Sequence, residues 1–272
     1  MGKFSGILFC TDLDGTLYRN DKSISKENLD AIKYFKNEGG LFTFITGRVP
    51  KTSIKICETI KPNAPYGCVN GAGIYDAICK KYLWTEFLND NVGELVYSAK
   101  NEFPQIGIQA NVMDNIYFIQ DNDAMVRFRS ITGTPYISKS FEDIKEPILK
   151  IVFGHLEGEQ LLKLEKFLNN QPGAKNFDFI RSEQRLYEIL PKGTSKGNLL
   201  IKLAELLGID RKKTIAVGDY NNDISMIQQA GVGFAVSNAL DCVKAVADRI
   251  TVSNEENAIA TIIDELDKGN IF

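Results

Sequence analysis

Four aspartates stand in two short clusters near opposite ends of this chain, Asp12 and Asp14 in TDLDGT at 11–16 and Asp219 and Asp223 in GDYNND at 218–223. A third polar cluster, TGR at 46–48, lies between them. Each follows a short apolar run, so each reads as the tip of a buried strand. Should the tips meet, four carboxylates would share one place, which like-charge repulsion opposes unless a cation intervenes. Oxygen donors select a hard ion such as Mg2+, and Asp12, Asp14, Asp219 and Asp223 are the candidate metal ligands. Lys196 supplies positive charge, following Thr194 and Ser195 at the start of a helix whose N-terminus favours anions. Singly, each cluster is also what an ordinary turn looks like, and Lys196 reads as a surface lysine. Their joint presence points to a site.

The elements that would position these residues alternate. Phe4–Cys10, Leu41–Ile45 and Tyr66–Val69 read as strands. Between the first two, Ser25 offers an N-cap to a helix carrying Leu29, Ile32 and Phe35, closed by Gly39 and Gly40. Pro50 suits the first turn of the next helix. The rhythm returns after residue 190, with a helix over 195–207, strands at 214–217, 232–236 and 250–252, and a last helix through Ile259, Ile262, Ile263 and Leu266. This predicts an α/β core with a doubly wound parallel sheet, whose strand tips gather in one crevice. Between residues 82 and 190 the pattern changes to a helix at 92–103, paired strands at 106–111 and 115–120, a strand at 148–153, a helix at 159–168, and strands at 177–181 and 185–190. Successive strands with tight turns imply an antiparallel sheet. The expected domains are therefore a core at 1–81 and 191–272 and an inserted α+β domain at 82–190.

A chain of 272 residues is long enough for a sizeable core and a second smaller domain. A net charge of -3 gives no reason to expect nucleic acid or an anionic membrane as partner. The N-terminal apolar stretch is too short for a signal peptide and no run approaches the roughly 20 apolar residues of a membrane span, so a cytoplasmic location is expected. The cysteines are odd in number and contain no CxxC pair, which reads as small apolar fillers in a reducing compartment. His155 is the one histidine, which excludes intramolecular chemistry needing two imidazoles and reads as a turn residue after a strand. No Walker loop occurs, GAGIYD at 71–76 fails GxGxxG at its last position, and no cysteine is followed six residues later by arginine.

DLDGT, TGR, SKG and GDYNND, in this order and with a large insertion between the second and third, resemble the four signature motifs of the haloacid dehalogenase superfamily. The place of the insertion resembles the Cof-like subfamily with a type IIB cap. The resemblance implies a magnesium-dependent phosphatase acting on a small phosphorylated metabolite, a sugar phosphate or phosphorylated cofactor. Asp12 would be the nucleophile forming an aspartyl-phosphate. Asp14 would protonate the leaving alkoxide and deprotonate the attacking water, its backbone carbonyl facing the metal. Asp12 and Asp219 would bind Mg2+ by side chain, with Asp223 and Asn222 behind or through water. Thr46 would hydrogen-bond the phosphoryl oxygens, helped by the Gly47 N–H and joined by Arg48, while Lys196 neutralises charge on phosphate and nucleophile. Asn70 and Gly71, in VNGA, resemble a further site-lining loop, and a plain turn after a strand fits them equally well.

The inserted domain would then be a cap that recognises the leaving group and excludes water. Arg181, Arg185, Tyr187 and Glu188 lie in its last strands, but the alternation there is what any one-sided sheet shows. Asp14 argues against a dehalogenase, whose halide leaving group needs no acid. The competing readings are a phosphomutase using the same aspartyl-phosphate and a non-catalytic ligand-binding relative.

Overall fold

The computed structural model describes residues 2–272. The chain forms two compact units, the first comprising residues up to Arg48, Ser53–Trp84 and Ser195–Phe272, the second Val49–Thr52 and Thr85–Thr194. The chain thus passes between units briefly at 48/49 and 52/53 and then at 84/85 and 194/195, where the change of rhythm in the sequence suggested 81/82 and 190/191. The hairpin partner at Lys81–Thr85 carries the first unit onward at one crossing. At the other, Thr194 is tied back to Pro191 by its N–H and its hydroxyl.

The first unit opens with β1 (Leu8–Thr11), α1 (Lys26–Asn37), β2 (Leu41–Phe44), α2 (Ile54–Ile60), β3 (Tyr66–Cys68), β4 (Gly73–Asp76) and β5 (Lys81–Thr85). The second unit holds α3 (Val92–Glu102), β6 (Gly107–Val112), β7 (Ile116–Gln120), α4 (Asp123–Thr132), β8 (Ile148–Gly154), α5 (Gly158–Asn169), β9 (Phe177–Glu183) and β10 (Leu186–Pro191). The first unit is completed by α6 (Lys196–Leu207), β11 (Thr214–Gly218), α7 (Ile224–Gln229), β12 (Val232–Val236), α8 (Asp241–Lys244), β13 (Arg249–Thr251) and α9 (Ala258–Asp267).

In the first unit a five-stranded sheet runs in the order β13-β12-β11-β1-β2, with every pairing parallel. Strands buried on both faces read as nearly continuous apolar runs, and LFCT and TIAVG do, each with a single threonine at one end. One face packs Leu8, Cys10 and Ala216 against Leu199, Leu200 and Leu203 of α6 and Met226 of α7. On the other, Phe9 meets Phe35 of α1 and Phe42 of β2 edge-on or tilted. The α1 helix begins where Ser25 accepts from the Asn28 N–H, and the Asn28 side chain in turn accepts from Ala260 of α9. β1 is central, with β2 on one side and β11 on the other. The chain order therefore reverses beside β1, the place where open α/β sheets bind ligands.

The expectation of a third parallel strand at 66–69 needs correction. β3 reaches β2 through an isolated parallel bridge, Ile45 to Gly67, and pairs antiparallel with β4 in a separate three-stranded sheet. VNGA reverses the chain within four residues, so the next strand returns along β3 instead of crossing the sheet.

The second unit is a five-stranded antiparallel sheet in the order β7-β6-β8-β10-β9. Alternation aims Ile108, Ala110, Ile151, Phe153 and Ile189 at Leu95, Val96 and Leu161 of α3 and α5. The opposite face carries Gln109, Asn111 and the buried pair Lys150–Glu188 at 2.8 Å. Among the described residues no helix is long and apolar enough to cross a membrane.

Candidate active site

Register builds the site. Thr11, the last residue of β1, pairs with Val217 of β11 and Phe44 of β2, and the Asp12 N–H still donates to the Val217 carbonyl at 2.9 Å. One step past that bond β1 ends, and Asp12 emerges beside Asp219 on one flank and Thr46 on the other. Three strand tips far apart in sequence are thereby neighbours.

Oxygens of Asp12, Asp219 and Asp223 lie within 4.8 Å of one another. Lys196, 1% exposed at the first turn of α6, reaches Asp12 Oδ1 at 2.5 Å and Asp223 Oδ1 at 2.6 Å. Ser195 caps that helix by accepting from the Asn198 N–H, which fixes where α6 starts and where its lysine points. The other oxygen of Asp223, Oδ2, accepts from the N–H groups of Asp219 and Tyr220, each at 3.0 Å. Asp223 thus shapes the turn that presents Asp219 and holds the ammonium in place.

Burial pushes the Asp12 carboxyl up to about 7 against the pull of Lys196, with Asp223 adding to the rise. Burial likewise pushes Asp219 up to about 8, reinforced by the charges of Asp223 and Asp12. For Lys196 burial acts downward but is outweighed by Asp12 and Asp223, so its ammonium is held firmly. Three carboxylates facing one ammonium is a cluster short of positive charge. Its all-oxygen donor set fits a hard divalent cation.

The expected fourth carboxylate does not join them. Asp14 turns to Arg48, accepting from Nε and an Nη at 2.9 Å each, and to Lys22 Nζ at 2.8 Å. Burial would raise its pKa, but the two cations prevail and lower it. As a side-chain metal ligand Asp14 is therefore corrected, because a bidentate guanidinium offers this carboxylate a better partner than a crowd of like charges. The same pairing places the Arg48 guanidinium on Asp14. Thr46 is buried, and its hydroxyl accepts from the Arg48 N–H at 3.2 Å. Asn70 is 1% exposed and its Oδ1 accepts from Asn222 Nδ2 at 3.0 Å. Gly47 lies against the Asn70 amide, and Gly71 against the Ser195 backbone.

At Gly15 a side chain is excluded twice. Its φ is +85°, and an added Cβ would sit 2.4 Å from Asp219 Oδ2. Two contributors escaped sequence reasoning. Thr16 donates its hydroxyl to Asp219 Oδ1 at 2.8 Å, and its place in DGT was the signal that could have found it. Lys22 carries no such signal, because it follows Asp14 by eight residues in a polar loop and reaches it only through the fold.

A family model described as haloacid dehalogenase-like hydrolase matches residues 9–263. A 5-amino-6-(5-phospho-D-ribitylamino)uracil phosphatase of Bacillus subtilis, YitU, is 29% identical over 264 residues, covering 95% of this chain and 96% of its own length. Phosphatase YwpJ of the same organism is 28% identical over 285 residues, with 95% and 99% covered. A haloacid dehalogenase-like hydrolase from Bacteroides thetaiotaomicron superposes with a TM-score of 0.84 at 26% identity, over 96% of this chain and 99% of that one.

Proposed function

This chain belongs to the haloacid dehalogenase-like hydrolase family, and on that premise we propose that it is a phosphoric monoester hydrolase which releases phosphate from a small phosphorylated metabolite through an aspartyl-phosphate on Asp12, with Mg2+ as cofactor. The observation that carries the reading is Lys196 bridging Asp12 and Asp223 inside a carboxylate cluster that includes Asp219. The relatives named phosphatases support the reaction class.

Lys196 occupies Oδ1 of Asp12, so Oδ2 is the oxygen presented as nucleophile. It forms a bond to phosphorus as the bond to the leaving oxygen breaks, and the leaving alkoxide takes a proton from Asp14. Water then attacks phosphorus, passes its proton to Asp14, and the Asp12–phosphorus bond breaks to free phosphate. Asp14 between Arg48 and Lys22 is poised as the base of this second step. To serve as acid in the first it must carry a proton, which requires one cation to be drawn off, and an incoming phosphoryl group competes for both. Asp12 and Asp219 would hold Mg2+, with Asp223 behind them. That ion would neutralise the cluster and polarise the phosphoryl oxygens.

The test is phosphate release from a panel of phosphomonoesters by purified protein, with Mg2+ and with EDTA. Activity that needs Mg2+ and disappears in Asp12→Asn is the expected result. Release from no ester, or full activity in Asp12→Asn, refutes the proposal.

A further inference from the structure

Two strand-tip loops and the start of α6 in the first unit are fastened together by a turn that holds no charge and no reactive group. Val69, Asn70 and Gly71 are all buried, with φ of +56°, +53° and +113°. Consecutive left-handed residues are uncommon, and a β-branched one is a genuine outlier. Such backbone persists where its surroundings over-determine it, and it concentrates at functional sites.

The surroundings here are the motif loops themselves. The Asn70 N–H donates to the Thr46 carbonyl and the Val69 N–H to the Arg48 carbonyl, each at 3.0 Å, so the turn is clipped to both ends of TGR. Gly71 packs so closely on the residue before Lys196 that a Cβ would lie 2.4 Å from the Ser195 carbonyl oxygen. The Asn70 Oδ1 receives Asn222 Nδ2, one residue before Asp223. The segments that carry Thr46, Lys196 and Asp223 therefore share one buried fastening. Asparagine meets both demands at position 70, tolerating the left-handed backbone while supplying a side-chain acceptor.

We infer that Asn70 is a positioning residue for phosphoryl transfer, acting through Asn222 to fix the TGR loop and the GDYNND turn in mutual register. The inference rests on the phosphatase reading. Its side-chain oxygen is engaged by Asn222, so its contribution is the separation of Thr46 and Gly47 from Asp219 and Asp223, not a contact with the substrate.

A double-mutant cycle tests it, using Asn70→Ala, Asn222→Ala and the pair with p-nitrophenyl phosphate. Each single change is expected to lower kcat on the order of 10- to 100-fold, the cost of a small misplacement of reacting groups. KM should stay within about threefold, since uniform binding is untouched. The double variant should be no worse than the poorer single, because the link is already broken. Asn70→Gly keeps the left-handed backbone without strain and removes only the amide, so it should fold and still lose kcat. Losses that multiply, a raised KM with kcat intact, or full kcat in Asn70→Gly would each overturn the inference. If the unaltered protein hydrolyses nothing, the phosphatase reading has failed separately. The same cycle is then read by calorimetric binding of inorganic phosphate, where non-additive weakening upholds the role of Asn70 and additive or absent weakening rejects it.

Discussion

Replacing Asp12 by asparagine should abolish turnover and at the same time stabilise the metal-free protein. The Asp12 carboxyl stands at about 7, raised by burial and by Asp223 against the pull of Lys196. An unfolded aspartate titrates near 3.9, so ionising Asp12 in the fold costs about 3 pK units, or about 4 kcal/mol as a limit. Charge is shared among Asp12, Asp219 and Asp223, so about half of that limit, ~2 kcal/mol, is the working figure. The sign follows from linkage. A folded pKa above the unfolded one leaves the wild type's contribution intact below about pH 4 and removes it as pH climbs through about 7. Asparagine does not ionise, so its advantage opens across that window and is level above it. In a unit of this size ~2 kcal/mol is about 4–8 °C in Tm. Thermal denaturation in EDTA at pH 4.5 and pH 8 should show a small part of the gain at pH 4.5 and nearly all of it at pH 8, and Mg2+ should narrow it by stabilising the wild type more. A gain equal at both pH values, or none at pH 8, would refute the electrostatic argument even if activity were lost.

Two further predictions concern the groups around Asp12. Lys196→Met removes the ammonium shared by Asp12 and Asp223 while keeping an unbranched chain in the same buried space; kcat should fall on the order of 100- to 1000-fold, as on removal of one preorganised charge-stabilising donor, and steady-state kinetics reporting less than tenfold would contradict its role. Gly15→Ala forces a side chain into a +85° backbone and against Asp219; it should cost about 1–2 kcal/mol through the backbone alone, and raise the Mg2+ concentration needed for half activity, whereas an unchanged Mg2+ requirement would show that Asp219 is not displaced.

Much of the fold was legible because its signals are local. The apolar runs ending in TDLDGT, TGR and GDYNND marked the tips of β1, the β2 segment and β11, and Ser25 and Ser195 stand at helix starts that the structure keeps. The antiparallel character of the second unit followed from strands too closely spaced for crossovers. Less visible were β4 and β5, since β3 reverses in VNGA through left-handed residues that no hydrophobic period announces.

Sequence alone nominated Asp12, Asp14, Asp219, Asp223 and Lys196 for one cluster and supplied the reason a cation would be needed there. Tertiary structure decided how they are divided. Asp14 left the carboxylate cluster for Arg48 and Lys22, Asp223 turned both oxygens to Lys196 and the backbone, and Asn70 joined Asn222 across 152 residues of chain. Partner choice among charged groups depends on distances of a few ångströms and on burial. Those are set by the register of β1 between β2 and β11, which is a property of the assembled sheet and is written in no single segment of the chain.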